Sequence, residues 1–273
     1  MYTSGPAHTD GGALSIVSAA RRRYDQPSAT AQDDRLPEYV GDMVRPYGLS
    51  YDNGPLAANL GQSFSEMCQP LIEEHVTEPV DLLVLAFDLH DLRPGQATSI
   101  YLSHVCPGDP LAFTVCDQGN AAPFSALRLI QTYARTGAVR RALLFVAEQS
   151  TLHYELLSPA PLPTCHAAAM FVLETGAGTS PVVRPAMAPD RVLAELGGLI
   201  EPGDTVIAGA GLLPFALDQL GVDVLEAPAG QPLTGGWWQL AGALDQPVVL
   251  ADYEPRLGYL SVLRHEPTLV AAR

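Results

Sequence analysis

AFDLHDLRPGQATSIYLSHVCPGDPLAFTVCDQGNAAPFSALRLIQTYARTGAVRRALLFVAEQST, from Ala86 to Thr151, is the stretch whose reading decides the fold. A buried strand, Val80 to Phe87, runs into it. Thr98 to Val105 reads as a helix that stops at Cys106-Pro107-Gly108-Asp109-Pro110 and leads into a strand, Leu111 to Cys116. A second helix spans about Ala121 to Arg135, with Pro123 in its first turn, where a missing N–H is harmless, and Gly137 just past its end. Leu143 to Ala147 is the next strand. Strand, helix, strand, helix, strand predicts a parallel sheet with helices packed on it.

Upstream of this block, Leu14 to Ala19 is a short strand, and Tyr24 to Asn53, rich in Pro, Asp, Gly and Tyr, reads as a surface excursion. Leu60 to Val76 has helical apolar spacing interrupted by Pro70, which predicts a kinked or divided helix. Downstream, Ala167 to Leu173 is a strand, and Thr175 to Pro189 has the composition of a connector. The half-boundary is placed there, giving units 1–175 and 176–273. The second unit repeats the alternation: a helix Arg191 to Leu199, a strand Thr205 to Ala208, a helix opened by Pro214, a strand near Val222 to Leu225, a Trp-bearing helix, and strands Val248 to Leu250 and Leu257 to Leu263.

The chain of 273 residues is 47% hydrophobic and 16% charged, which predicts a globular fold that needs neither disulfide nor metal. Its formal charge of −15 excludes nucleic acid and anionic membrane as expected partners. Every one of the 15 cations is an arginine, so lysine chemistry is ruled out. The four cysteines, Cys68, Cys106, Cys116 and Cys165, have no CxxC spacing, the N-terminal stretch lacks an apolar secretory core, and the apolar runs are strand-length. A soluble cytoplasmic protein is the expectation.

The Ala86–Thr151 block is similar to the core of ketoacyl-ACP synthase III, a family of the thiolase-like superfamily. The matching pieces are Ala112-Phe113-Thr114-Val115, the helix ending in Arg135-Thr136-Gly137, and Ala147-Glu148. Further on, CHAAAMFVLE (Cys165–Glu174) resembles the family's GDGAGAVVLE strand, and DTVIAGAG (Asp204–Gly211) the strand that ends in PHQAN. LTGGWWQLAGAL from Leu233 and VVLADYEPRLGYLSVLR from Val248 resemble the last helix and hairpin. The resemblance covers most of the chain from Asp81 onward, in order. It implies a thiolase-like α/β fold of two similar βαβαβ halves in an α/β/α/β/α arrangement, with the C-terminal half abbreviated. It also implies a dimer, since in the family the strand equivalent to Leu111–Cys116 pairs across a two-fold axis.

In that family a cysteine at the N-terminus of the long helix takes the acyl group, and a histidine and an asparagine hold the second thioester as malonyl loses CO₂. Carried over residue by residue, the cysteine falls on Gly119 or Asn120, the histidine on Gly209 and the asparagine on about Thr234. The resemblance therefore implies a degenerate triad. The expected function is a partner subunit or carrier-recognition module of acyl-thioester biosynthesis, of fatty-acid or polyketide type, that has lost condensation. Acyl-CoA or acyl carrier protein is the expected ligand, no cofactor is called for, and the chain is expected to form a homodimer or a heterodimer with a complete ketosynthase.

The alternative is a rewired acyltransferase using Cys116 or His166. Against it, Cys116 reads rather as a buried core thiol and His166 as a strand histidine satisfied by a backbone carbonyl. Gln118 sits one residue from the ungapped cysteine position, where a glutamine replaces the nucleophile in chain-length-factor relatives; Asn120 is suited to cap the helix. His90, Asp91 and Arg93 read as solvated loop charges, and His75, His104 and His153 lack metal-ligand spacing. Gly209-Ala210-Gly211, with Glu226 beyond, mimics a dinucleotide fingerprint, but Pro214 stands in place of the third glycine. Trp237 and Trp238, about 100° apart on a helix, are expected to fill the passage that is open in active relatives.

Overall fold

The structure, a computed structural model, describes residues 13–26, 28–51, 61–154, 161–176 and 181–267. The chain begins with strand β1 (Leu14–Tyr24), longer than its apolar start predicts because it continues through three arginines. The supposed excursion that follows contains helix α1 (Leu36–Val44), whose Leu36, Val40 and Val44 pack with Ala31 and Leu92 in a small satellite core. Its apolar residues recur every fourth position, a signal that the surrounding Pro and Asp content obscures. Helix α2 (Phe64–His75) runs undivided through Pro70. A capping box fixes its start: the Ser63 hydroxyl accepts from Glu66 N, and the Glu66 carboxylate accepts from Ser63 N.

Strand β2 (Leu82–Ala86), helix α3 (Thr98–Val105), strand β3 (Leu111–Val115), helix α4 (Ala122–Arg135) and strand β4 (Arg141–Glu148) follow as the spacing predicts. Then the expected parallel order breaks. Strand β5 (His166–Thr175) lies antiparallel to β4, and β1 lies antiparallel to β5, so the first sheet is mixed, in the order β1-β5-β4-β2-β3. No crossover helix is found among the described residues between β4 and β5, and a chain that does not cross over returns antiparallel. The near-continuous apolar run of β5 conceals this, because both of its faces are buried.

The second half repeats the plan. It holds β6 (Val182–Arg184), helix α5 (Val192–Gly197), β7 (Thr205–Ala208), β8 (Asp223–Glu226), helix α6 (Thr234–Ala241), β9 (Val248–Glu254) and β10 (Tyr259–His265), with sheet order β6-β10-β9-β7-β8. Each strand thus has a counterpart, β7 for β2, β9 for β4, β10 for β5. The helix expected to open at Pro214 is instead a pair of 3₁₀ turns, Ala210–Leu212 and Leu217–Leu220. The segment carries apolar spacing, but it is short and closes at Gly221 in the left-handed region, which leaves room for single turns only.

Strand alternation sorts the core into layers. Val84, Leu144, Val146 and Phe171 point to a middle layer made by α4 and α6, which the second sheet meets with Ile207, Leu250 and Leu263. Leu83, Leu85, Phe145 and Met170 point the other way, onto α2 and α3. On the far face of the second sheet, Val206, Val249, Tyr253 and Leu260 pack under α5 and the 3₁₀ turns. The order is helix, sheet, helix, sheet, helix. The second half is abbreviated in its outer layer, where a helix of 6 residues stands opposite the 12 and 8 residues of α2 and α3. Among the described residues no helix is long and apolar enough to cross a membrane.

Candidate functional site between the two halves

The C-terminal ends of the parallel strands of both sheets converge on the middle layer, where side chains at strand ends and helix starts meet. Of the carboxylates that cross between the halves, two are pseudo-symmetric. Glu148, the last residue of β4, accepts from Leu233 N at 2.9 Å and from the Thr234 hydroxyl, at the start of α6 in the other half. Glu254, the last residue of β9, accepts from Asn120 N at 3.0 Å, in the turn that opens α4. Each half thereby caps the other half's central helix with an acid placed against unsatisfied N–H groups.

Around Glu254 the network is dense. Arg256 donates to Glu254 Oε1 through its backbone N and its Nε, both at 3.0 Å, and to Asp88 Oδ2 at 3.0 Å, while Gly119 N donates to Asp88 Oδ1 at 3.0 Å. Two residues back on the same strand face lies Asp252. Its Oδ1 accepts from Tyr253 N at 2.8 Å, Gly211 N at 2.9 Å and Asn120 Nδ2 at 3.4 Å. Asn120 is therefore not the side-chain cap of α4, which has none; its amide is committed to Asp252.

Glycine is required where these acids sit. A Cβ built on Gly119 would overlap the Glu254 carboxylate and come within 2.6 Å of Arg256 Nη2, and its backbone has φ +50. A Cβ on Gly209 would overlap the Asp252 carboxylate. On Gly211 it would overlap the Tyr253 carbonyl and come within 2.9 Å of Asn120 Nδ2. The volumes that side chains at 119 and 209 would fill are occupied by Glu254 and Asp252. The turn after β7 is 3₁₀ and packed beneath Asp252, so Gly209-Ala210-Gly211 does not open a helix N-terminus onto a phosphate, and the dinucleotide alternative loses its structural basis.

Burial pushes the Asp252 carboxyl up to about 8, against the pull of the Tyr253 and Gly211 amides, with Glu254 adding to the rise. Burial likewise raises Glu148 to about 7, opposed by the bonds from Thr234 and Leu233. Both acids hold a proton in the folded chain at a pH where the unfolded chain has released it. That stabilisation is fully present below the usual carboxylate range and is lost as pH rises toward 7 and 8. We expect stability to fall with rising pH by up to about 1.4 kcal/mol per unit per group, from about pH 5 to about 7 for Glu148 and to about 8 for Asp252. Asp252→Asn should flatten that slope, as read from denaturant midpoints across the window; an unchanged slope would assign the dependence elsewhere.

The remaining candidates scatter. Cys116 follows β3 and is half-buried rather than a core thiol; its Sγ lies 3.3 Å from Asp117 Oδ2, and burial followed by Asp117 raises its pKa, which disfavours the thiolate. His166 opens β5, and its Nδ1 accepts from Ser150 N at 3.2 Å, so its partner is an amide and not a carbonyl. Burial lowers the pKa of His166, which keeps the ring neutral. The Gln118 side chain accepts from Ser125 at 2.5 Å. Asp91 is buried, not solvated: it accepts from Phe64 N, Arg93 N and the Thr98 hydroxyl, while His90 bonds Tyr154. Trp237 is buried edge-on to Phe124 and Phe171, whereas Trp238 is half-buried against Arg21 and Arg23. Among the described residues no group of three His, Cys, Asp or Glu is placed to hold a metal ion.

Two mixed five-stranded sheets, each led by the same strand order, around a shared pair of central helices make the thiolase-like fold. The chain is similar in structure to AbyA1, a tetronic acid condensing enzyme, with TM-score 0.62 and 15% identity over 92% of this chain and 100% of that one. It is similar also to a variant of OleA from Xanthomonas campestris (TM-score 0.60, 14% identity, 92% and 98% covered). ChlB3, an acyltransferase, matches with TM-score 0.58 and 16% identity over 93% of this chain and 98% of that one. No protein-family model matches, and no curated protein does.

The acids of β9 and Arg256 escaped the sequence reading. A signal was present: Val248 to Ala251 is apolar throughout, and two acids then fall two residues apart at its C-terminal end, on one strand face.

Proposed function

We propose that this chain is a ketosynthase III-like protein of acyl-thioester biosynthesis that does not condense and serves as the partner subunit of a complete ketosynthase or as a recognition module for acyl-CoA or acyl carrier protein. One observation carries the reading: the side-chain volumes at 119 and 209 are filled by Glu254 and Asp252. Decarboxylative condensation needs a thiolate to take the acyl group and donors to hold the enolate that CO₂ leaves behind. Gly119, Asn120, Gly209 and Thr234 bring no thiol to take the acyl group and no imidazole to hold the enolate. The names of AbyA1 and ChlB3, a condensing enzyme and an acyltransferase, support acyl chemistry as the setting.

An edge strand supports the expectation of a partner chain. β3 is the edge of the first sheet, with Leu111 exposed and Ala112, Phe113 and Thr114 only half-buried, a strand whose free side invites another strand. Purified protein given malonyl and acyl thioesters should make no β-ketoacyl product and should sediment as a dimer, or bind a complete ketosynthase. Product from the chain alone would overturn the reading. The accessibility of Cys116 leaves one rival, a rewired acyltransferase. A covalent acyl adduct seen by intact mass spectrometry and abolished by Cys116→Ala would establish it, and none is expected with that thiol's pKa raised.

A further inference from the structure

The three arginines before the last residue of β1 divide between its two faces. Arg22 turns to α2 and pairs with Glu74 at 2.6 Å; Arg21 and Arg23 turn to the middle layer and meet one indole. Their guanidinium carbons lie 4.8 Å and 4.9 Å from the Trp238 ring centroid. Arg21 donates to the Trp238 carbonyl and Arg23 to the Gln231 side chain, both neutral acceptors. Among the described residues, neither is within ion-pair distance of a carboxylate, although the chain has 30 acids to 15 cations and eight other arginines are so paired. Glu148 feels the charge of Arg23, but its oxygens are engaged by Leu233 and Thr234.

Arg21 and Arg23 are exposed residues, and partial burial together with the charge of Arg23 depresses the pKa of Arg21, so the two charges repel each other. A planar fork that keeps its charge, held by an aromatic face and left with free donors, suits a phosphoryl oxygen pair. We infer that Arg21, Arg23 and Trp238 form an anion site that takes a phosphoryl group, at the outer edge of the inter-half seam. The site is separate from the acids around Asp252, and it does not rest on the function proposed above, since phosphate binding and β-ketoacyl synthesis are read independently.

The test titrates the full chain at constant ionic strength with inorganic phosphate, with coenzyme A and with pantetheine, which lacks phosphate, following heat and melting temperature. Phosphate and coenzyme A should bind saturably and raise the Tm, and pantetheine should not. Phosphate binding with no gain for coenzyme A would name free phosphate as the source; tighter coenzyme A would name a phosphate-bearing carrier. R23Q should weaken binding about tenfold. R23K, which keeps the charge and loses the fork, should fall between wild type and R23Q, while R140Q, which removes an exposed charge elsewhere, should leave binding unchanged. No saturable response to either anion at millimolar concentration, or a response that R23Q and R140Q weaken equally, overturns the site and leaves the arginines as a clamp that ties α6 to β1.

Discussion

Gly119→Cys should destabilise the chain by about 3–5 kcal/mol, the larger part from overlap with the Glu254 carboxylate and Arg256 and the rest from a side chain held at positive φ. Introducing a thiol at that position is thus expected to disrupt the seam. The companion variant isolates the cause. Glu254→Ala alone leaves Asn120 N without its acceptor and Arg256 with Asp88 alone, and should be destabilising, yet in the Gly119→Cys background it removes the overlap. The double variant should therefore be more stable than the sum of the singles by about 2 kcal/mol or more, as read from guanidinium unfolding of all four proteins. If Gly119→Cys unfolds at the wild-type midpoint, the carboxylate is not filling that volume, and the observation that carries the proposed function is lost.

Trp237→Ala should cost about 3–5 kcal/mol, because it empties the space between Phe124 of α4 and Phe171 of β5, whose rings lie edge-on to the indole at centroid distances of 5.1 Å and 5.4 Å. The layer it supports is shared by both sheets, so unfolding should remain a single transition at a lower midpoint. Trp238→Ala removes only a half-buried ring and its two cation contacts and should cost about 1–2 kcal/mol. The pair also tests occlusion. A Trp237→Ala chain that gains binding of an acyl thioester shows that the indole stands in a passage, while stability lost without binding leaves it as packing alone. Equal losses in the two variants would contradict the burial difference between them.

The alternating stretch from Leu82 to Glu148 was legible because each element there is a local pattern: helical spacing ended by Pro or Gly, and apolar runs of strand length. The same rules misread the direction of β5, since a strand buried on both faces carries no periodicity and its partner is chosen across the sheet. They also missed α1, where Pro and Asp content outweighed the spacing of Leu36, Val40 and Val44. In the candidate site, Gly119 and Gly209 are plain in the sequence, but nothing near them in the chain announces Asp252 or Glu254. Those acids lie 43 and 135 positions away, by subtraction of residue numbers, and reach the glycines only through strand pairing and the stacking of the two sheets.

What the sequence by itself determined is the alternation of strand and helix from Leu82 to Glu148, its repeat in a shorter second half, the exclusion of lysine chemistry, and the presence of glycine at 119 and 209. Each of these is a property of residues close in the chain or of their count. Only the tertiary structure decided that the two halves cap each other's central helices with Glu148 and Glu254, and that Asp252 sits over Gly209. It also decided that Arg21 and Arg23 meet on Trp238. The physical reason is that a side chain's charge state and partners depend on burial and on neighbours across the fold, and burial is set when the layers close over residues that the chain itself keeps far apart.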